Sequence, residues 1–490
     1  MKSISDLLSA WPLLTTSLLV AVALLAALIT SIDLGTRFRV EWMGAYFIGV
    51  AVSMVTSVLV SWRDLSRGAN LPFQPDRSDI GHGITLLCLA IAAERAFRFL
   101  LRREYQESRG NALLGALLAY ILSVNVVSSL LGKPGGLHQH MFSAALVLLA
   151  VFAYAQSQPR RCIVIVRNTM LAFLLVSLLS LLVRPELVVD ANYRDGILPG
   201  FTVRFYGFAS HANNLAPLCL LLMCCLRLQR YDWVALDLLA WLIALSSIAL
   251  TQSKTSIVLV LMALGYFWFL DQRQKVRDIG PKERRGWQAA TLTSAVMCMA
   301  LIGMLVLALQ IGGGDFFAKL DTLDSREQLY TFTGRKTIWV ETLRIVQESP
   351  LFGYGPGLWG LEMRIKTGLL FAAHAHNQFI HTLGAAGIVG LVALLFCLGA
   401  LAVAAWRVRD TTRGVSLVLF MFLVLRGATE VPLSVANPMQ IESLFQMVLL
   451  VICVGGLSVR WSPRPQVAAP NAAHFQPAPA EPEPNGHGPQ

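Results

Sequence analysis

The chain has 490 residues, 55% of them hydrophobic and only 14% charged, with a mean hydropathy of +0.60. That composition excludes a soluble globular enzyme: a membrane-spanning helix needs about 20 apolar residues, and those present suffice for about a dozen crossings with little left over. The net charge of +11 does not point to nucleic acid, because the basic residues fall mostly in short loops between apolar runs, where they orient a membrane protein.

A transmembrane barrel would alternate polar and apolar residues. Here Leu171–Val183 is interrupted only by two serines and Ile257–Leu264 is wholly apolar, which leaves an all-α polytopic fold. In chain order the candidate spans fall near 11–32, 43–61, 84–100, 112–131, 139–156, 162–183, 209–228, 232–250, 254–271, 288–310, 386–406, 414–432 and 439–457. The first lacks a strongly basic leader and reads as a retained span. The third has only about ten apolar residues before Glu94, Arg95 and Arg98, so it reads as a buried, re-entrant or amphipathic helix. Setting it aside leaves about twelve spans with both termini cytoplasmic, and places Arg63, Arg67 and Arg77 on the cytoplasmic side with the clusters at Arg102–Arg103, Arg160–Arg161, Arg227–Arg230, Arg273–Arg285 and Arg407–Arg413. The eight cysteines sit in apolar stretches without metal-type spacing and read as small hydrophobes.

This pattern divides the chain into an N-terminal helix bundle (1–310), an external loop (311–385), C-terminal helices (386–458) and a Pro-rich tail (459–490). The last 28 residues hold eight of the 21 prolines, a composition expected to stay disordered in the cytoplasm. Only Arg184–Phe208 and the segment from Ile311 to Ala385 are external stretches long enough to carry chemistry.

Within the longer one, Thr337–Gln347 has the apolar spacing of an amphipathic helix lying along the membrane face. Arg335 and Lys336 begin it, either as a phosphate cradle at a helix N-terminus or as headgroup anchors. Pro350–Gly357 packs three glycines and two prolines into a sharp turn. His374, His376 and Asn377 then precede the next helix, where an imidazole can serve as general base for a sugar hydroxyl or simply cap the helix. Metal binding is the competing idea for the three histidines in eight residues, His381 included. Positions i and i+2 diverge on a helix, and no nearby carboxylate or cysteine completes a set, so no metal is expected. Two further polar groups belong to the same external side: Arg204 with His211, Asn213 and Asn214, and Lys254 in the tight turn Gln252–Thr255. Arg426 and Glu430, spaced i, i+4 in an apolar run, are expected to pair and face the bundle interior or a cavity, as a structural staple or a functional pair.

The segments Gly207–Asn214, Ser253-Lys254-Thr255, Gly334-Arg335 running to Pro350–Gly355, and His376-Asn377 before Gly387–Leu391 resemble, in order and spacing, the O-antigen ligase and Wzy-type polymerase superfamily over roughly residues 200–395. The resemblance implies a GT-C-like helical fold and a cofactor-free, metal-independent transferase. It would act on the periplasmic face of the bacterial inner membrane, on glycans carried by undecaprenyl pyrophosphate. It further implies that Arg335 and Lys254 hold the departing pyrophosphate and that His376 activates or orients the acceptor hydroxyl. Arg204 is then a further phosphate or sugar contact, with Asn377 orienting His376; beside the resemblance, Lys336, His211, Asn214, His374 and Glu430 are expected as substrate-binding residues from their place among the external polar groups. Ligases of the superfamily commonly carry Arg where this chain has Lys254, which favours a polysaccharide polymerase, with the O-antigen ligase acting on a lipid A core acceptor as runner-up. A chain-length regulator and a flippase are the partners that a polymerase reading implies. A secondary transporter is a third reading, less consistent with polar groups gathered at the external boundary rather than at mid-membrane.

Overall fold

Long apolar runs close their backbone hydrogen bonds within one segment because hydrocarbon offers no other partner. In the computed structural model, which describes residues 42–60, 63–65, 79–107, 110–133, 136, 141–191, 193, 203–277, 332–370, 372–433 and 439–457, they do so as helices. These are α1 (Trp42–Val60), α2 (Asp79–Leu101), α3 (Asn111–Leu131), α4 (Ser143–Ser157), α5 (Pro159–Val183), α6 (Ala212–Leu228), α7 (Val234–Thr251), α8 (Lys254–Arg277), α9 (Phe332–Glu348), α10 (Leu361–Thr367), α11 (Gln378–Arg407), α12 (Val415–Gly427) and α13 (Ser443–Leu457). Among them α1, α3, α5, α7, α8 and α11 are long and apolar enough to cross a membrane. The expected spans at 11–32 and 288–310, and the tail from 459, lie outside the described residues.

Helix α6 is the axis of the bundle: every residue from Leu215 to Leu226 is buried, Cys219, Cys224 and Cys225 included. The seven described cysteines are all buried and unpaired, as small hydrophobes should be. Two ends can then be distinguished. At one, Arg227 donates to the Arg413 carbonyl and pairs with Asp271, so the basic clusters of three helices meet. At the other, a two-residue antiparallel pairing of β1 (Val189–Asp190) with β2 (Arg204–Phe205) lies over the start of α6.

One topological expectation is corrected. Arg63, placed with the cytoplasmic basic residues from sequence, donates instead to the carbonyls of Leu187, Gly207 and Ala209, at the β1–β2 end. The chain then returns to the basic end through α2, which packs Cys88 against Gly49 of α1 and bonds Arg95 to the Ala153 carbonyl of α4. The charges that made this segment look too polar to cross are spent internally, Arg95 on Glu104 and Arg98 on Glu94.

The span expected at 386–406 begins earlier, at Gln378, and is broken at Gly387, whose φ of 62° and ψ of −160° suit only glycine. There Ile388 and Val389 donate to the carbonyls of Pro350 and Leu351 (2.9 and 3.2 Å) rather than to their helical acceptors. The freed carbonyls of Gly384 and Ala385 accept from Tyr354 and Gly355 (3.0 and 2.7 Å). The Pro350–Gly355 turn is thus wedged into the break with every displaced backbone group satisfied. A Cβ on Gly387 would lie 2.3 Å from the Leu351 carbonyl, and one on Gly353 2.5 Å from that of Ala385. Beyond the break, residues 388–407 form 20 residues of helix, about 30 Å, the thickness of a hydrocarbon core.

Candidate functional site

The break lets the first turns of α11 sit at the β1–β2 end, where Asn377 caps them. Its side-chain oxygen accepts from the Phe379 and Ile380 amides at 3.0 and 3.1 Å, leaving His376 just outside the helix. His376 is held at a φ of 48°, a left-handed conformation that costs on the order of 1 kcal/mol in a non-glycine residue. Its amide donates to His374 Nδ1 at 3.2 Å. Helix α9 is tied to the same loop, since Trp339 Nε1 donates to the Ala375 carbonyl at 2.7 Å, and one turn earlier on that face stands Arg335.

These pieces converge on Glu430, in the turn after α12, whose side chain is 11% exposed. One carboxylate oxygen lies 3.0 Å from His376 Nδ1 and 3.8 Å from His374 Nε2. The other accepts from Asn213 Nδ2 at 3.0 Å and lies 3.7 Å from Arg335 Nη2. Burial alone would raise the Glu430 pKa, but the His376 hydrogen bond, the two facing imidazoles and the Arg426 guanidinium outweigh it and hold the carboxyl well below the usual carboxylate range. An ionised carboxylate only accepts, so His376 presents its Nδ1–H to Glu430, which leaves Nε2 as the ring nitrogen turned away from that bond.

A second leg runs through Asn213. Its side-chain oxygen accepts from Arg204 Nη2 at 2.8 Å, while Arg204 Nε donates to the Thr251 carbonyl at 3.2 Å. Arg204 therefore ties the turn before Lys254 to the Glu430 cluster. Arg426 Nη2 donates to the Asn213 carbonyl (2.8 Å) and to the Asn214 side chain (2.6 Å). The expected Arg426–Glu430 pair does not form. Helix α12 ends at Gly427, so Glu430 leaves the helical face that i, i+4 spacing requires, and both side chains grip the start of α6 instead.

His374, His376 and Glu430 place one potential ligand atom each within 4.8 Å, so the carboxylate missing from the local sequence arrives from another helix end. The donor set nevertheless fits a proton relay better than a metal. His374 Nδ1 accepts an amide proton, so its own proton is on Nε2, the atom that faces Glu430. Arg335 also puts a cation beside the same carboxylate. Burial first, and the His376 ring second, push the His374 pKa down to about 3, which keeps it neutral.

Residues 238–395 match the O-antigen ligase family. No curated protein matches the chain. The match supports the O-antigen ligase/Wzy superfamily and a ligase- or polymerase-type activity in a polytopic, mostly helical membrane protein. The matched segment contributes Lys254, Arg335, His374, His376 and Asn377, whereas Arg204, Asn213, Arg426 and Glu430 come from outside it.

The residues singled out from sequence therefore separate. His376, His374, Arg335 and Glu430 form one cluster, and Arg204 joins it through Asn213. His211 is the N-cap of α6, accepting from the Asn213 amide at 3.1 Å; burial, then Arg204, lower its pKa to about 3, so it stays neutral. Asn214 is bound to Ser210 and Arg426, and Asn377 caps α11 rather than contacting His376 by its side chain. Lys254 is exposed, three residues from the carbonyl that holds Arg204, and makes no salt bridge among the described residues. Lys336 is exposed on the outward face of α9 with Val340 and Leu343, away from Arg335's partner. Asn213 and Arg63 carry structural roles that no local sequence signal assigns.

Proposed function

We propose that the protein is a Wzy-type polysaccharide polymerase that transfers glycan units from undecaprenyl pyrophosphate on the periplasmic face of the bacterial inner membrane, without metal or nucleotide. The observation that carries this reading is the His376–Glu430–Arg335 cluster, of which His376 and Arg335, with the neighbouring His374, lie in the segment matched by the ligase family. The sugar–pyrophosphate bond already contains a good leaving group, so the protein needs to stabilise departing negative charge and deprotonate an alcohol. His376 Nε2 takes the acceptor hydroxyl proton as the oxygen bonds the anomeric carbon, and Glu430 stabilises the imidazolium that results. The anomeric carbon–oxygen bond to pyrophosphate breaks, and the lipid pyrophosphate leaves towards Arg335, with Arg204 and Lys254 as further cations on that side. The meeting of basic clusters at the opposite end supports a cytoplasmic location for that end, which leaves the His376 cluster outside.

A second reading, the O-antigen ligase that joins a finished polymer to lipid A core, is favoured by the description of the matching family. Against it stands Lys254, which keeps a positive charge but lacks the bidentate fork of arginine. Mass analysis of carrier-linked glycans in a strain lacking the protein, with the wild-type chain restored as control, separates the two. Single repeat units accumulate if it is a polymerase, and long polymers on the carrier accumulate if it is a ligase. An unchanged carrier pool refutes both.

A further inference from the structure

Arg63 is 6% exposed and belongs to none of the motifs above. Its guanidinium donates through Nε to the Leu187 carbonyl at 2.8 Å, through Nη1 to the Ala209 carbonyl at 2.7 Å, and through Nη2 to the carbonyls of Leu187 and Gly207. Burial lowers its pKa only to about 10, so it stays charged at neutral pH. The carbonyls it collects come from both sides of one small structure. Leu187 precedes β1, while Gly207 and Ala209 follow β2, the strand that carries Arg204. The same segment is pinned where Tyr206 and Gly207 donate to the Val188 carbonyl and Phe208 donates to Ser177 Oγ. Gly207, at a φ of 54°, turns the chain there from the strand towards the cap of α6.

We propose that Arg63 is a positioning residue for the donor side of the site: by holding the Leu187, Gly207 and Ala209 carbonyls on one planar fork, it fixes β2 and so sets where the Arg204 guanidinium stands. Two strands of only two residues cannot hold a register by their own ladder. A rigid set of guanidinium donors reaching three carbonyls supplies the missing constraint, and an ammonium on a flexible stem cannot reproduce it. The proposal rests on the reading of Arg204 as a contact of the donor phosphates.

The test uses full-length Arg63→Lys and Arg204→Ala, singly and together, in detergent or vesicles with carrier-linked glycan as donor. Arg63→Lys is expected to raise KM for the donor about tenfold while changing kcat less than about threefold. Amide exchange should quicken in residues 204–211 and stay unchanged in α5 and the body of α6. In the Arg204→Ala background, Arg63→Lys should add little, because both act through one group. Full additivity, or unchanged exchange in 204–211, overturns the proposal. So does loss of folded Arg63→Lys protein, which would make Arg63 a general staple of the bundle. Normal donor KM in Arg204→Ala removes the donor reading and this proposal together, whereas an impaired Arg204→Ala with a normal Arg63→Lys overturns the role of Arg63 alone.

Discussion

Replacing Glu430 by glutamine keeps the shape of the hub and removes its charge, and the hydrogen-bond pattern around it leaves no good orientation for the amide. If the amide oxygen faces His376 Nδ1, the amide NH2 faces Asn213 Nδ2, another donor, and the Arg335 cation. Asn213 cannot turn over to help, because its own oxygen accepts from Arg204. If the amide is reversed, its NH2 meets His376, which must move its proton to Nε2 and so loses the lone pair proposed to accept the hydroxyl proton. Either way one charge-assisted hydrogen bond is lost and the imidazolium formed during transfer goes uncompensated, together about 3–4 kcal/mol, or a fall in kcat of about two to three orders of magnitude. The assay is single-turnover transfer by purified protein, with its melting temperature measured alongside. A Glu430→Gln variant within about threefold of wild type would sink the idea that Glu430 sets the state of His376.

Arg335→Ala should abolish product while leaving protein level in the membrane nearly unchanged; normal glycan chains in a complementation assay would refute its role. Lys254→Arg should retain more activity than Lys254→Ala, since charge near the Arg204 turn is what is needed, and equal activity of both with wild type would dismiss Lys254. Gly387→Ala should destabilise the protein by on the order of 3 kcal/mol or more, because its Cβ would meet the Leu351 carbonyl at 2.3 Å and its φ is positive; an unchanged melting temperature would contradict the wedge. His374 and His211 both have pKa values lowered from 6.5 to about 3, so on acidification the unfolded chain takes up protons that the folded one refuses. Stability should hold above about pH 6.5 and fall progressively below it, which thermal melts in detergent at successive pH values can check.

How much was legible in the sequence follows from the range of each interaction. Helix α6 and the long apolar helices were readable because hydrocarbon accepts only segments that satisfy their own backbone, so composition alone decides their form. His376, Arg335 and Arg204 could be named because histidine and arginine at the ends of apolar runs announce a polar site. Their partners could not be named. Glu430 looked like the helical mate of Arg426 until the end of α12 at Gly427 released it to meet a histidine 54 positions away. His211 and Asn377 looked like ligands and are helix caps, a distinction made by which amide lies within 3.1 Å rather than by residue type.

The sequence by itself determined that the chain is a helical membrane protein with polar residues gathered at the ends of its apolar runs, because burial of apolar side chains and backbone satisfaction are local requirements. Tertiary structure decided which end Arg63 occupies, that α2 carries the chain back despite its charges, and that Glu430, Asn213 and His376 form one network. Those outcomes depend on hydrogen bonds between residues 54 to 217 positions apart, which no spacing along the chain encodes.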